Sequence, residues 1–273
     1  MKILVPLDFT PVTENALMYA IGLTDVLGVS NIILFHVTVS DKETAEASAK
    51  LNLLIEKYKD KTSAALENNI KPGNIFDEIG KTAAELEAGL IVMGTHGITG
   101  MQRIIGSRAM KVITHSETPY IVVQQKPYKP IKKILIPVDF TREVKQLLPL
   151  LLTLNEKFKA TFHLIILDSK DDFIQNKVDN NLAYFKSYLY DNTIPFVEAG
   201  TYSSSKYKEV LQFAKTTDAD LIVTAIDPET NLTDYIMGVD EQKIVANELQ
   251  IPVLCVNTKH YMNRKGNVFE YTF

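Results

Sequence analysis

A glycine-rich stretch that begins at Gly94 has the residue types needed to bind an anion, and a phosphate group in particular. It follows the apolar run LIVM at 90–93, and a new helical pattern begins at Ser107. Glycine can turn its N–H group toward an anion in backbone conformations that other residues resist, and a helix N-terminus adds a positive dipole end. No acidic residue occurs between positions 94 and 108. The sequence therefore predicts a phosphate-binding loop with the candidate residues Gly94, His96, Gly97, Gly100, Arg103, Gly106, Ser107 and Arg108.

The two halves of the chain repeat one another, so this loop can be compared with a second copy. The segment KILVPLDFT at 2–10 recurs as KILIPVDFT at 133–141, with seven of nine positions identical and an offset of 131 residues. AGLIVMG at 88–94 matches ADLIVTA at 219–225 at the same offset. This period is too long for a solenoid repeat, so each half is predicted to be a domain.

The segment KPYKP at 126–130 marks the predicted boundary, because its two prolines favour a short extended linker. The first domain is accordingly predicted at 1–127 and the second at 130–258. Residues 259–273 have no counterpart in the first half and are predicted to form a C-terminal tail.

Strand and helix patterns alternate along each half. Short, continuously apolar runs predict strands that are buried on both faces. Thr10 and Pro11 are expected to start the first helix and Gly28 to end it, and a long helix is expected over about 43–69. This alternation indicates an α/β fold with a doubly wound parallel sheet in each domain. Pro149 falls inside the first helix expected in the second half and should kink or shorten it.

Composition and charge exclude several classes of function. The 273 residues suit two domains, and 46% hydrophobic with 23% charged residues is typical of a soluble globular protein. A net charge of -4 leaves no electrostatic footprint for DNA or RNA. The single cysteine, Cys255, excludes an intrachain disulfide framework and a cysteine-based zinc site.

The protein is predicted to be cytoplasmic and to have no membrane partner. Its N-terminus runs directly into a strand pattern and lacks the apolar core of a signal peptide. No apolar run approaches the roughly 20 residues that span a bilayer.

Four segments together resemble the universal stress protein family: ILVPLDFT, GLIVMGTHGITG, the pair Gly106-Ser107 and the closing TPYIVV. The resemblance extends to both halves and implies a tandem of two such domains. It implies a Rossmann-like fold of the adenine nucleotide alpha hydrolase type, with five strands in the order 3-2-1-4-5 in each domain. Many members of the family bind ATP with a glycine-rich loop. In this loop two residues separate the first glycine from the second, and nine residues separate the second glycine from a Gly-Ser or Gly-Thr pair. In this sequence eight residues separate Gly97 from Gly106, one fewer than in the family pattern.

The resemblance also implies where a nucleotide would bind. In the order 3-2-1-4-5, strands one and four are neighbours where the order reverses, and ligands bind beyond the carboxyl ends of strands at such a point. Asp8 follows strand one and Gly94 follows strand four, so both are expected at one crevice. Asp8 is expected to accept hydrogen bonds from the ribose or from the adenine side. By resemblance, the adenine pocket is lined by Pro6, Val37 and Met93.

The second half is expected to lack the phosphate-binding loop. Ala225 and Pro228 stand at the positions of the first two loop glycines, and proline has no N–H to donate. Positions 225–241 carry five acidic residues and no lysine or arginine, so this segment would repel a triphosphate. Asp139, the counterpart of Asp8, is then expected to be an inherited structural residue.

The predicted function is the binding of an adenine nucleotide, as ATP or else as ADP or AMP, by a stress-response protein with at most slow hydrolysis. An ATPase needs carboxylates for Mg²⁺ and a positioned base, and the loop offers no dedicated ligand for Mg²⁺. No catalytic residue is predicted. One alternative is a scaffold that binds no nucleotide and acts through its surface. Another is an ATP-using enzyme such as an adenylating ligase, although the motifs SGGxDS and HIGH do not occur.

The last strand of each half indicates how the two domains pack together. TPYIVVQ at 118–124 matches IPVLCVN at 251–257, and each apolar strand is expected at the edge of its sheet. Exposed apolar edges are an aggregation hazard that proteins cover or pair. We expect the two strands to pair antiparallel within one chain, with Val122 near Leu254, which gives an intrachain pseudo-dimer. The sequence leaves open whether whole chains also form a homodimer.

Overall fold

The structure, a computed structural model, describes residues 1–39, 43–95, 113, 116–139, 141–203, 206–226 and 239–257, so the tail expected at 259–273 lies outside the described residues. The helices and strands described before the linker form the first half. They are β1 (Lys2–Pro6), α1 (Pro11–Gly22), α2 (Thr24–Leu27), β2 (Asn31–Thr38), α3 (Thr44–Tyr58), β3 (Ala65–Pro72), α4 (Ile75–Glu85), β4 (Leu90–Gly94) and β5 (Tyr120–Val123).

The helices and strands described after the linker form the second half and repeat this order. They are β6 (Lys133–Val138), α5 (Arg142–Gln146), α6 (Leu148–Phe158), β7 (Thr161–Leu167), α7 (Asp172–Asp191), β8 (Phe196–Tyr202), α8 (Lys206–Thr216), β9 (Leu221–Ile226), α9 (Val239–Val245) and β10 (Val253–Asn257).

The described strands form one ten-stranded sheet in the order β3-β2-β1-β4-β5-β10-β9-β6-β7-β8. Within each half the strands run parallel in the order 3-2-1-4-5, which confirms the α/β fold and the strand order implied by the resemblance. Ile3 of β1 pairs with Ile32 of β2 on one side and with Leu90 of β4 on the other. The strand order of the first half therefore reverses between β1 and β4.

The central strands are buried on both faces, as their continuous apolar runs predict. Ile3 and Val5 pack on the face that holds α1 and α3, whereas Leu4 packs on the face that holds α4, and all three are fully buried. Helices on both faces remove the apolar strands from water, which is the main favourable contribution to folding. Among the described helices, none is both long enough and apolar enough to cross a bilayer.

Pro11 starts the first helix as predicted, but that helix ends at Gly22 and not at Gly28. Pro11 opens α1, and Gly28 ends α2 with φ 67, a left-handed conformation that glycine adopts without strain. In the second half α5 ends at Gln146, and Pro149 lies in the first turn of a new helix. The expectation that Pro149 interrupts this helix is confirmed, because its ring and missing N–H are tolerated only in a first turn.

The helix expected over about 43–69 is wrong at its C-terminal end. Helix α3 ends at Tyr58, and residues from Ala65 onward form the edge strand β3. Half of the residues of β3, ALENNIKP, are polar, which fits a strand that only one neighbouring strand and little core cover. The sequence predicts a weak third strand just before Pro72 and Gly73, and only its start at Ala65 is missed, because no apolar run or regular alternation marks that start.

The linker at 126–130 is docked on the first half through Tyr128. The ring of Tyr128 packs edge-on against Tyr19, with ring centroids 5.2 Å apart. It also covers Gly22, where an added Cβ would lie 2.2 Å from the ring. Because Gly22 has no side chain, the ring of Tyr128 can pack directly against α1.

The linker is tied to the second half through Asp220, at the start of β9. Its Oδ1 lies 2.7 Å from Nζ of Lys129, and its Oδ2 accepts hydrogen bonds from the amides of Lys132 and Lys133 at 2.8 and 2.9 Å. The side chain of Asp220 is 8% exposed. One carboxylate thus fixes the chain where it enters β6.

The closing strands β5 and β10 pair antiparallel at the centre of the sheet, in the arrangement that the sequence predicts. Leu254 pairs with Ile121, and Val253 pairs with Val122. Leu254 and Ile121 pack in the core on one face of the sheet, whereas Val122 and Val253 pack on the other. Pairing Val122 with Leu254 is therefore wrong by one residue, since a one-residue shift along a strand moves a side chain to the opposite face.

This register predicts which cysteine pairs can cross-link. In a Cys255→Ser background, cysteines at Ile121 and Leu254 should form a disulfide on oxidation, because their Cβ atoms share a face and sit on directly paired residues. Cysteines at Val122 and Leu254 should remain free thiols. Thiol labelling after the oxidised protein is unfolded without reductant, followed by mass spectrometry, separates the two results. Cross-linking of the second pair in preference to the first would contradict the register.

Candidate functional site

Asp8 organises the turn between β1 and α1. Its Oδ1 accepts hydrogen bonds from the amide of Thr10 at 3.0 Å, from the hydroxyl of Thr10 at 2.5 Å and from the hydroxyl of Thr13 at 2.8 Å. Thr10 is the N-cap residue of α1, yet its hydroxyl donates to Asp8 and makes no capping bond with the helix. Thr10 therefore starts the helix as expected but does not cap it through its side chain, because the carboxylate competes for its hydroxyl. The Asp8 carboxylate is exposed to solvent at the carboxyl end of β1.

Gly94 ends β4 directly beside the first turn of α1. A Cβ added at Gly94 would lie 2.6 Å from the carbonyl oxygen of Val12 and 3.0 Å from Cα of Thr13. Real Cβ atoms essentially never come so close to backbone, so only glycine fits here without a shift of the helix. Gly94 does not have a positive φ. The sequence interpretation, in which Gly94 supplied an unusual backbone conformation, is thus replaced by a steric reason.

Thr13 joins the two ends of the candidate site, and sequence reasoning missed it. Its hydroxyl donates to Asp8 after β1, and its Cα lies against Gly94 at the end of β4. Thr13 is 7% exposed, so this link is buried. The structure therefore brings Asp8 and Gly94 together through one turn of α1. A threonine three residues into a helix is an ordinary sequence feature, which is why no pattern indicated it.

The three residues predicted to line an adenine pocket lie near the carboxyl ends of adjacent strands. Pro6 is the last residue of β1, Val37 is near the end of β2, and Met93 precedes Gly94 in β4. Met93 is 9% exposed, and Val37 packs against the same core cluster, on the sheet face that holds α4. All three therefore lie near the carboxyl ends of the neighbouring strands β2, β1 and β4, and Asp8 follows the middle one of these strands.

The corresponding turn of the second half repeats the contacts with the threonine two residues after the aspartate. Oδ1 of Asp139 accepts hydrogen bonds from the amide of Thr141 at 2.8 Å and from its hydroxyl at 2.5 Å. Oδ2 of Asp139 forms an ion pair with Nζ of Lys206 at 3.4 Å. The expectation that Asp139 serves a structural role agrees with these contacts.

The remaining candidate residues lie outside the described part of the chain. This holds for His96, Gly97, Gly100, Arg103, Gly106, Ser107 and Arg108 of the first half, and for Pro228 and most of the acidic segment of the second. Among the residues that the structure does describe, no group of three or more His, Cys, Asp or Glu side chains could hold a metal ion.

Comparisons with known proteins agree with this architecture. The family model described as the universal stress protein family matches residues 1–124. A universal stress protein of Methanocaldococcus jannaschii is 32% identical over 143 residues, which cover 47% of this chain and 84% of that protein. A crystal structure of a universal stress protein from Archaeoglobus fulgidus covers 94% of this chain and 98% of its own, with a TM-score of 0.76 at 19% identity. This last likeness concerns the fold, and it extends over both halves.

Proposed function

Because the chain belongs to the universal stress protein family, we propose that its first half binds an adenine nucleotide, with ATP as the favoured form. The observation that carries the proposal is the joining of Asp8 and Gly94 by Thr13 at the point where the strand order reverses. Open parallel sheets bind ligands at this point. An exposed carboxylate that follows one of several strands ending in apolar residues suits a nucleoside, because the ribose hydroxyls are donors and the base is flat and largely apolar.

The roles follow from the positions of the residues. Asp8 accepts hydrogen bonds from the ribose, and Pro6, Val37 and Met93 contact the adenine. Beyond Gly94, the chain continues into the segment whose glycines and helix start suit a polyphosphate. The proposed phosphate contacts are Gly94, Gly97, Gly106 and Ser107, with further contacts from His96, Arg103 and Arg108.

The protein acts, in this proposal, as a stress-response binding and regulatory protein. No catalytic base is assigned, so hydrolysis of the bound nucleotide is slow, and any Mg²⁺ arrives with the phosphates. The second half binds no nucleotide, since its counterpart of Gly94 is Ala225 and its loop sequence is acidic.

We further propose the domain division 1–127 and 130–258 with a tail at 259–273, and a cytoplasmic location. The seam between β5 and β10 supports an intrachain pseudo-dimer, because two similar halves bury their closing strands against each other. A homodimer of whole chains would then need a different surface.

Substitution of Gly97 tests the phosphate-binding part of the proposal. Gly97→Val should weaken ATP binding by about tenfold or more, equivalent to about 1.4 kcal/mol, because a β-branched residue resists the backbone conformation expected in this loop. Calorimetric titration of ATP into the full chain measures the change, and circular dichroism checks that the fold is retained. Pro228→Val, at the corresponding position of the second half, is the matched control and should leave the titration unchanged. Wild-type affinity in a folded Gly97→Val variant would remove the loop from the site.

A further inference from the structure

A cavity of about 240 Å³ lies between α1, α3 and the turn that follows β1, and its lining residues differ from those proposed to contact the nucleotide. The apolar part of its lining consists of Leu7, Phe9, Leu53 and Leu54. Leu7 is 2% exposed, whereas Leu53 is 70% exposed, so the cavity runs from the core to the solvent. Pockets for drug-sized ligands have volumes of about 300–1,000 Å³, so this cavity suits a smaller molecule.

Phe9 forms a wall of the cavity and is held in place by its neighbours. Its φ of 64 is unusual for a bulky side chain, and such a conformation persists only where surrounding contacts impose it. The centroids of the Phe9 and His36 rings are 4.6 Å apart, and Nδ1 of His36 donates a hydrogen bond to the carbonyl oxygen of Leu7 at 2.6 Å. A wall that is fixed before a ligand arrives lowers the ordering cost of binding.

The charged residues of the lining are Lys50, Lys57 and Glu14, which leaves a net positive charge. Nζ of Lys57 lies 2.6 Å from Oε1 of Glu14, and the hydroxyl of Tyr58 donates to the same oxygen at 2.6 Å. Hydrogen bonds from Lys57 and then from Tyr58 hold the pKa of the Glu14 carboxyl below its usual value. Glu14 is therefore ionised at neutral pH and balances the charge of Lys57.

Lys50 supplies the positive charge that Glu14 does not balance. Its Nζ lies 5.3 Å from the centroid of the Phe9 ring. It also pairs with Glu46, four residues earlier in α3, at 2.7 Å, but the two side chains are 49% and 73% exposed. Exposed pairs of this spacing contribute little because water screens them. A ligand carboxylate can therefore bind the Lys50 ammonium without breaking a strong contact.

We propose that this cavity binds a small monocarboxylate with an apolar body. The body contacts Phe9, Leu53 and Leu54, and the carboxylate accepts a hydrogen bond from the ammonium of Lys50. A single negative charge matches the charge of the lining, whereas a polyphosphate brings several charges and no apolar group to fill the cavity. The site lies outside the proposed nucleotide site, and the inference does not depend on nucleotide binding.

Phenylacetate is the probe for this site, and phenylacetamide is its uncharged control. Each is titrated into the full chain labelled with ¹³C in its leucine methyl groups, and NMR follows the signals of Leu53 and Leu54. Phenylacetate should shift these signals to saturation with a Kd of about 1 mM or lower. Phenylacetamide should bind about fivefold more weakly or worse, because it lacks the charge that strengthens the hydrogen bond. Absence of a saturable shift, or equal binding of the two probes, would overturn the proposal.

Lys50→Gln tests the residue that is proposed to hold the carboxylate. It should weaken phenylacetate binding by about fivefold or more, because the amide side chain has no charge. Lys59→Gln is the matched control, since Lys59 is 51% exposed and pairs with Glu56 of α3 at 2.7 Å, yet it does not line the cavity. This control should bind phenylacetate as the wild type does. Equal losses in the two variants, or undiminished binding by Lys50→Gln, would show that the cavity does not select the probe by its charge.

Discussion

Gly94→Val is expected to destabilise the protein by about 2–3 kcal/mol, the upper range for overpacking in a core. The three atoms nearest to an added Cβ are all backbone: the carbonyl oxygen and carbon of Val12 at 2.6 and 2.9 Å, and Cα of Thr13 at 3.0 Å. No side chain can rotate away to relieve this contact, so β4 and α1 must move apart. Val12 is 1% exposed, and the movement would open the core around it.

The same substitution should also abolish nucleotide binding in any molecules that remain folded. Thr13 moves with α1, and its hydroxyl holds Asp8. Urea unfolding followed by circular dichroism measures the loss of stability, and Gly94→Ala should give a smaller loss in the same direction. Ala225→Gly, the reverse change at the corresponding position of the second half, should cost about 1 kcal/mol or less. A Gly94→Val variant as stable as the wild type would contradict the close packing of β4 on α1.

Asp220→Asn is expected to lower the free energy of unfolding at neutral pH by about 1.5–3 kcal/mol, the range for hydrogen bonds to a charged group. Burial alone would raise the pKa of the Asp220 carboxyl. Hydrogen bonds from Lys129 and from the amides of Lys132 and Lys133 outweigh burial and hold this pKa below its usual value. Asparagine keeps the shape of the side chain, but it removes the charge and one acceptor oxygen.

The lowered pKa fixes the sign of the pH dependence. A carboxyl whose pKa is lower in the folded state contributes stability above its unfolded-state pKa of about 3.9, and this stability is lost as the pH falls through the folded-state value. The difference between wild type and Asp220→Asn should therefore be constant from neutral pH down to that region and shrink below it. Urea unfolding at a series of pH values measures the difference.

Asp218 provides a matched control for this prediction. It lies 3.6 Å from the same Lys129 ammonium, but its side chain is 79% exposed. Exposed ion pairs contribute about 0–1 kcal/mol, so Asp218→Asn should have little effect. If the two variants lost the same stability, the buried carboxylate would not be what anchors the linker.

Sequence patterns predicted the elements that depend on local chemistry. The repeat of KILVPLDFT places Asp8 and Asp139 after equivalent strands, and both form the same turn with the threonine two residues later. Gly28 and Pro149 have the effects on helices that their backbone restrictions require. Strand order came from the family resemblance, because alternation of strands and helices does not by itself fix their order in the sheet.

Other features depend on contacts between distant segments, which no local pattern shows. Gly94 is required because α1 passes close to it, and that approach is set by packing of the whole helix. The predicted pairing of β5 with β10 differs by one residue from the pairing in the structure. Apolar strands that are buried on both faces lack the alternation of polar and apolar residues that would show which side chains share a face. The partner of Asp139 lies 67 residues away in the chain, and Lys206 at a helix start otherwise suggests only an exposed cation.

The number of ATP molecules bound per chain tests the central claim most directly. Calorimetric titration of ATP into the nucleotide-free full chain, with native mass spectrometry of the same sample, counts the sites. One ATP per chain is the predicted result, because only the first half combines an accessible aspartate with a glycine-rich loop. Two equivalent sites per chain, or no bound ATP at all, would contradict the account.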